Sequence, residues 1–232
     1  MDYAHFSTVV KPVIIGHRGA SGHALENSLA AFRIAATPGH PARCDGVELD
    51  IHVTSDGHFV VHHDPVLSSG EQISSLPLSR VRASVLGDGS PIPTLADAIE
   101  TLVGLELFVE VKHLPPSADL PLVKLLGSHR GARWHLHAFD HRIIARLNGL
   151  VPPGSLGVLS ASYPVDPVGP VQDAGAGTLW QQADLIDARL VAACHAAGVA
   201  VIAWTVNDRD CAATLTGLGV DGLCGNWPER LR

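Results

Sequence analysis

Two acidic residues lie one residue apart in a short and otherwise apolar stretch, "VELDIH" at positions 47–52. Successive side chains of a strand point to opposite faces, so Glu48, Asp50 and His52 share one face of a predicted strand. His52 lies further out on that face, and we expect it to be exposed. Two like charges on one face are costly unless an opposite charge lies close to both of them.

A third carboxylate, Glu110, lies near the end of another predicted strand in "FVEVK", two residues before Lys112. Three converging carboxylates could hold one hard divalent cation, because Mg²⁺ and Ca²⁺ prefer oxygen ligands. The alternative is a network of ion pairs in which Arg18 and Lys112 neutralise Glu48 and Asp50 without a metal. The spacing of these residues leaves both interpretations open.

Two histidines, His17 and His63, each follow a predicted strand. Imidazole groups titrate near neutral pH, so this pair could supply a general acid and a general base for phosphoryl transfer. Arg18 and Lys112 place fixed positive charge beside the acids, where a phosphate group could bind. Trp204 is either a wall for an apolar or glycerol part of a substrate or a core residue.

Strand-like and helix-like segments alternate along the chain about eight times, which predicts an α/β fold of the (β/α)8 barrel type. Active sites of such barrels lie at the C-terminal ends of the strands, where the polar residues above occur. An open doubly wound sheet is the alternative, but no G-x-G-x-x-G motif follows the first strand. The predicted strands are 13–17, 46–54, 58–64, 105–112, 134–140, 155–161, 178–183, 199–207 and 220–225, and the predicted helices are 25–36, 93–102, 118–128, 141–150, 187–198 and 208–219.

The composition limits the classes of protein to which the chain can belong. The 232 residues are 46% hydrophobic and 17% charged, which fits one domain over 1–232. The net charge of −7 disfavours binding to nucleic acid or to an anionic membrane surface. No segment is long and apolar enough for stable membrane insertion. Four cysteines without a C-x-x-C pair, and a start without a secretory signal pattern, predict a cytoplasmic protein with reduced thiols. The oligomeric state stays unknown.

Several motifs in one order resemble the glycerophosphodiester phosphodiesterase family. H-R-G alone would be weak, but H-R-G, E-N, E-x-D, T-x-D-G, H-D-P and E-x-K in sequence are highly specific. The resemblance extends from residue 15 to residue 228. The matching stretches are "IGHRGASGHALENSLAAF", "GVELDIHVTSDGHFVVHHDPVL", "IPTLADAI", "FVEVK", "WTVN" and "GVDGLCGNWP".

This resemblance implies a TIM barrel that hydrolyses a small glycerophosphodiester to sn-glycerol 3-phosphate and an alcohol. It implies that His17 and His63 are the general acid and base, in an order that the sequence leaves open. It also implies that one divalent cation, Mg²⁺ or Ca²⁺, binds to a set of three carboxylates. The implied metal ligands are Glu48, Asp50 and Glu110, and the implied residues that contact the phosphate or shape the site are Arg18, Lys112, Glu26 and Asn27.

The chain departs from the family pattern at four places, and these departures leave the choice of alcohol open. Leu25 stands where the family usually has Pro, and "LSSGEQ" follows where an Arg-Thr motif is common. Ala138 replaces a serine, and Gly225-Asn226 replaces Thr-Asp. None is expected to touch the predicted metal ligands or histidines. Only 45 residues, 65–109, separate Asp64 from Glu110, which predicts a reduced insertion between barrel strands 2 and 3 and an open site.

Two rival functions remain at this stage. A lysophospholipase D or sphingomyelinase D-like phosphodiesterase would use similar histidines and acids on the same barrel. A barrel that binds phosphodiesters or metal without turnover would lack a catalytic group. Since both histidines, all three acids and Lys112 are present, the sequence favours an enzyme.

Overall fold

The computed structural model describes residues 11–128 and 133–232; the sequence-based reading of residues 1–10 lies outside them. Eight parallel strands close into a barrel, because the first strand pairs with the second on one side and with the last on the other. The barrel prediction is therefore confirmed. The strands are β1 (Val13–His17), β2 (Gly46–Val53), β3 (Phe59–Val61), β4 (Glu106–Val111), β5 (Trp134–Ala138), β6 (Leu156–Ser160), β7 (Thr178–Gln182), β8 (Ala200–Trp204) and β9 (Gly222–Gly225).

Helices connect the parallel strands around the outside of the barrel. The helix that begins at Leu95 starts with a capping box, in which Thr94 and Asp97 each accept from the other's backbone N–H. Ser28 caps the helix that begins at Leu29 by accepting from the Ala31 N–H. The helices are α1 (Leu29–Ala36), α2 (Leu78–Ala83), α3 (Leu95–Thr101), α4 (Asp119–Gly127), α5 (His141–Leu147), α6 (Gly169–Asp173), α7 (Ala188–Ala196) and α8 (Arg209–Leu218).

The insertion between the second and third barrel strands begins with a hairpin. β3 pairs antiparallel with the outer half of β2, beyond the residues that pair with β1. Residues 62–92 follow as a small cap with one short helix and an apolar cluster of its own, which includes Leu67, Ile73 and Ile92. The cap leaves the side chain of His63 38% exposed, as the prediction of a reduced insertion and an open site requires.

Alternation along β2 separates two environments. Val47, Leu49 and Ile51 are fully buried in the apolar layer between the barrel and its helices. Glu48 and Asp50 point the other way, into the barrel, although every residue of β2 is buried. The strand therefore carries two carboxylates into the interior on an apolar support. In the described part of the chain, no helix has the length and apolar character needed to cross a membrane.

Candidate active site

Three buried carboxylates meet inside the C-terminal end of the barrel. Glu48, Asp50 and Glu110 are 2%, 0% and 8% exposed, and one oxygen of each lies within 4.8 Å of the others. The strand register causes this, because Asp50 of β2 is paired with Glu110 of β4. Parallel strands thus bring together acids that are 60 positions apart in the sequence.

Asp50 is the most completely neutralised of the three. Lys112 Nζ lies 2.9 Å from its Oδ1, and Arg18 Nε lies 3.2 Å from its Oδ2. The Asn27 amide donates to the same Oδ2 at 2.7 Å. These cations and this donor hold the pKa of Asp50 at about 2, against the burial that opposes ionisation. The ion pairs expected from the non-metal interpretation are therefore present at Asp50.

Glu48 has no comparable cationic partner among the described residues. Its Oε2 accepts from the Arg18 backbone N–H at 3.0 Å and lies 4.0 Å from His17 Nε2, while its buried Oε1 accepts no hydrogen bond from this part of the chain. Burial, together with Asp50 and Glu110, raises the pKa of Glu48 well above its ordinary value. Burial and the nearby Asp50 raise the pKa of Glu110 to about 7, although its Oε1 is 2.5 Å from Lys112 Nζ.

The loop after β1 is shaped by two residues in the left-handed region. Arg18 and Asn27 both have φ of 55°, which is uncommon for residues other than glycine. The Asn27 N–H donates to the Arg18 carbonyl, and Arg18 Nη1 lies 2.8 Å from Glu26 Oε1. This conformation points the Arg18 backbone N–H at Glu48 while its guanidinium reaches Asp50. The strained backbone is therefore directly tied to the carboxylate cluster.

His17 ends β1 and is held by a residue from the opposite end of the chain. Its Nδ1 donates to Asn226 Oδ1 at 2.7 Å, which leaves Nε2 as the nitrogen that faces Glu48. Burial and the nearby Arg18 lower the pKa of His17 to about 4. The prediction that no departure touches the histidines was wrong, because Asn226 is one of those departures. Barrel closure between β1 and β9 brings the two residues together.

His63 lies across the site at the start of the cap. Its Nδ1 donates to Asp64 Oδ1 at 2.8 Å, and its backbone carbonyl accepts from His52 Nε2 at 3.1 Å. His52 is only 6% exposed, so the prediction that it would be exposed was wrong. β2 extends beyond the residues that pair with β1, and β3 covers this outer half of β2. His52 lies in that covered half, and its hydrogen bond holds the His63 backbone.

A cavity of about 90 Å³ lies at the barrel mouth, and we call it the barrel cavity. Both histidines, Arg18, Lys112 and Trp204 line it, so the structure brings these predicted residues together. Glu26 and Asn27 lie outside its lining and act on it through Arg18 and Asp50.

Among the lining residues that were not predicted, His137 is the titratable side chain that faces the carboxylate strands. It lies beside Glu110 in the β4–β5 register and stacks on Trp180 with the ring centroids 4.0 Å apart. Alternation in "WHLHAFD" was the available signal, because it places His137 on the face opposite Leu136. Burial lowers the pKa of His137 to about 3.

The carboxylate cluster fits a hard divalent cation. All three candidate ligand groups are oxygen donors, which is the donor set that Mg²⁺ and Ca²⁺ prefer. Three carboxylates face two fixed cations, Arg18 and Lys112, so negative charge remains in excess. The unpartnered Glu48 Oε1 is the buried atom at which that excess is left without compensation.

Two other departures have structural explanations of different kinds. Ala138 is fully buried in the layer between barrel and helices, and it does not line the barrel cavity. Gly225 lies against the backbone carbonyl of Val206, and a Cβ atom at this position would overlap that oxygen. Glycine therefore permits the close approach at the end of β9 that delivers Asn226 to His17.

Comparisons with known proteins agree over almost the whole chain. Residues 17–230 match the model of the glycerophosphoryl diester phosphodiesterase family. A glycerophosphodiester phosphodiesterase from Caldanaerobacter subterraneus subsp. tengcongensis is 30% identical over 240 positions, covering 96% of this chain and 97% of that protein. A solved phosphodiesterase from Oleispira antarctica, in complex with the product sn-glycerol-3-phosphate, aligns with a TM-score of 0.86 at 26% identity and covers 95% of both chains.

Proposed function

The chain belongs to the glycerophosphoryl diester phosphodiesterase family and is a phosphoric diester hydrolase, and we propose that it cleaves a small glycerophosphodiester into sn-glycerol 3-phosphate and an alcohol. The observation that carries this proposal is the barrel cavity, where two histidines and two cations surround a cluster of three buried carboxylates. The product bound to the Oleispira antarctica relative supports the same substrate class.

We propose that Glu48, Asp50 and Glu110 hold one divalent cation, either Mg²⁺ or Ca²⁺. Such an ion, when bound, would stabilise negative charge on the phosphoryl oxygens. Arg18 and Lys112 would contact the phosphate from the side of Asp50, with which both already form ion pairs. Glu26 and Asn27 would fix this arrangement indirectly, through Arg18 and Asp50. Trp204 would wall the cavity beside the glycerol.

The two histidines differ in surroundings, and we assign their roles from that difference. The low pKa of His17 keeps its Nε2 unprotonated at neutral pH, which suits a general base. His63 is more exposed, and Asp64 accepts from its Nδ1, so its Nε2 is the nitrogen left to face the departing alcohol, and we assign it the role of general acid.

In the proposed reaction, His17 takes the proton of the glycerol 2-hydroxyl as that oxygen forms a bond to phosphorus. The bond between phosphorus and the alcohol oxygen breaks, and His63 donates a proton to the departing alcohol. A cyclic glycerol phosphate and the free alcohol are then present. Water opens the ring by attacking phosphorus, and the proton transfers run in the opposite direction. The final product is sn-glycerol 3-phosphate.

The test is release of sn-glycerol 3-phosphate from glycerophosphocholine, measured before and after EDTA treatment and after Mg²⁺ or Ca²⁺ is added back. We expect release that EDTA abolishes and one of the two ions restores. Lysophosphatidylcholine is the matched second substrate, and choline release from it alone would favour the lysophospholipase D alternative. Absence of release from both substrates, with folded protein and either ion, would refute the proposal.

We further propose a cytoplasmic location. All four cysteines, Cys44, Cys194, Cys211 and Cys224, are free thiols in the described chain, and a reducing compartment would keep them so.

A further inference from the structure

A second cavity, of about 180 Å³, adjoins the barrel cavity, and His63 lines both. We call it the cap cavity. The loop after β1 forms one wall with Leu25, Glu26 and Asn27, and the cap forms the other. Its apolar lining consists of Leu25, Leu67, Val85, Leu86 and Ile92.

The two cavities differ in what they offer a substrate. The buried polar atoms of the barrel cavity lining without a hydrogen-bond partner in the described residues include His137 Nδ1 and Trp204 Nε1, in addition to Glu48 Oε1. Buried polar atoms require hydrogen bonds, and the hydroxyl groups of a glycerol would supply them. The glycerol phosphate half of the diester therefore fits the barrel cavity. The alcohol half of the diester must then extend out of the barrel cavity, and His63 lies where the barrel cavity meets the cap cavity.

The charge around the cap cavity selects among alcohols. Its fixed charges are the carboxylates Glu26 and Asp64; the histidines His62 and His63 also line it, and within the described chain neither Lys nor Arg does. Glu26 pairs with Arg18 and Asp64 with His63, but their side chains are still 46% and 70% exposed, so each carboxylate can also face a ligand. Apolar walls with carboxylates at the mouth suit an ammonium group on a short hydrocarbon stem, and they disfavour an anion or a polyhydroxy ring.

A rival position for the alcohol lies on the other side of His63. This groove is lined by Lys112, His52, His113, Gln72 and Ser74, and by Asp64, which it shares with the cap cavity. Its lining is polar and includes the cation Lys112, which the cap cavity lacks, so it would suit an anionic or polyhydroxy alcohol better than the cap cavity does. The two openings thus favour different head groups. Choosing between them decides which glycerophosphodiesters the enzyme prefers.

We propose that the cap cavity is the subsite for the substrate alcohol and that it selects small alcohols that carry an ammonium group, such as choline or ethanolamine. This inference rests on the proposed function. Two of the four departures from the family pattern lie at this cavity, since Leu25 lines it and the divergent "LSSGEQ" segment contributes Leu67 and Ser68. Gly87 faces Leu25 across it, because a Cβ on Gly87 would be 3.9 Å from Leu25 Cδ2.

The test compares kcat/KM for glycerophosphocholine and glycerophosphoinositol in two matched variants. Val85→Lys places a cation on the cap cavity wall at a residue that is 56% exposed, and Ser74→Lys places one in the opposite groove. We expect the wild-type protein to prefer glycerophosphocholine. We expect Val85→Lys to lower kcat/KM for glycerophosphocholine about tenfold, because like charges repel, and to leave glycerophosphoinositol within about twofold. Ser74→Lys should leave the choline diester unchanged.

The outcomes separate the subsite from the reaction itself. Equal losses of kcat/KM on both substrates in Val85→Lys would refute the proposed subsite and leave the proposed phosphodiesterase function unaffected. Loss of the choline diester in Ser74→Lys, with Val85→Lys unchanged, would place the alcohol in the opposite groove and overturn it too. A wild-type protein without preference would overturn the selectivity. Failure to release sn-glycerol 3-phosphate from either diester would refute the proposed function, and the subsite with it.

Discussion

Replacing Glu48 by Gln should change the stability of the protein in opposite directions with and without metal. The substitution keeps the shape of the side chain and removes one charge from the cluster of three carboxylates. Two like charges 4.8 Å apart repel by about 3.5 kcal/mol at an effective dielectric constant of 20. Asp50 and Glu110 repel the Glu48 carboxylate, while Arg18 and Lys112 attract it, so these charge–charge energies largely cancel. The energetic cost that remains is that of burying the Glu48 charge.

In metal-free protein the E48Q variant should therefore be more stable than the wild type. The pKa of Glu48 is raised mainly by burial, so its ionised form at neutral pH is unfavourable in the folded state. Removing that charge should add about 1–3 kcal/mol to the free energy of unfolding, in the range seen when buried ionic groups are replaced. For a chain of this size that is a rise in Tm of about 2–12 °C.

With metal the order should reverse. An ion at 100 times its dissociation constant stabilises the folded state by about 2.7 kcal/mol, which corresponds to about 5–11 °C in Tm. The E48Q variant has lost one anionic ligand, and we expect less than about a third of that shift. The measurement is thermal unfolding at pH 7.5 in EDTA and in a titration of Mg²⁺ or Ca²⁺.

The exposed Glu100 provides the matched control, because Glu100→Gln removes the same charge far from the cluster. Its metal-dependent shift should equal that of the wild type. A metal-dependent shift in the E48Q variant as large as the wild-type shift would refute the carboxylate site. A metal-free E48Q variant less stable than the wild type would refute the argument from buried charge.

Three further outcomes follow from the same geometry. His17→Ala and His63→Ala should each reduce turnover to the detection limit while keeping the metal-dependent Tm shift, and full activity in both would exclude the two-histidine mechanism. Asn226→Ala should lower kcat up to about 100-fold by freeing the His17 ring, whereas Asn226→Asp, which keeps an acceptor for Nδ1 but makes it anionic, should recover kcat only as the pH is raised, because the carboxylate raises the pKa of His17; equal losses at every pH in steady-state assays would argue against positioning. His137 has a pKa of about 3 when folded against 6.5 when unfolded, so the unfolded chain binds the extra proton and stability falls as pH drops below 6.5. This loss is about 2 kcal/mol at pH 5, and denaturant unfolding at pH 7 and 5 should show a smaller loss in His137→Phe.

The barrel could be predicted from the sequence because each strand is a short apolar run between turn signals. β1 begins and ends at the predicted residues, 13 and 17, and the capping box that begins α3 was readable from Thr94 and Asp97. The short helices α2 and α6 were not predicted. With six and five residues, they are too short for apolar residues to repeat over two turns, and α6 begins with Gly-Pro.

The candidate site could be predicted only in part, for a physical reason. Glu48, Asp50 and Glu110 can be identified from the sequence because carboxylates are unusual inside apolar strands. A closed barrel must then bring the ends of their strands together. Asn226 carries no such signal. It is one polar residue in a loop, and its contact with His17 spans 209 positions. That contact also depends on Gly225, which lets the end of β9 approach the backbone of Val206 in the segment after β8. Contacts of this kind follow from backbone closure rather than from any local pattern.

The partners of the two histidines explain how one fold separates two similar side chains. Asn226 offers His17 a neutral acceptor, and Asn226 is itself fixed by Asn207, which accepts from its N–H, and by Gly22, which donates to its carbonyl. Asp64 offers His63 a charged acceptor on an exposed loop. The two imidazoles on opposite sides of one cluster therefore direct their Nδ1 protons at acceptors of different charge, and each keeps Nε2 for the reaction, in which one nitrogen takes a proton and the other gives one.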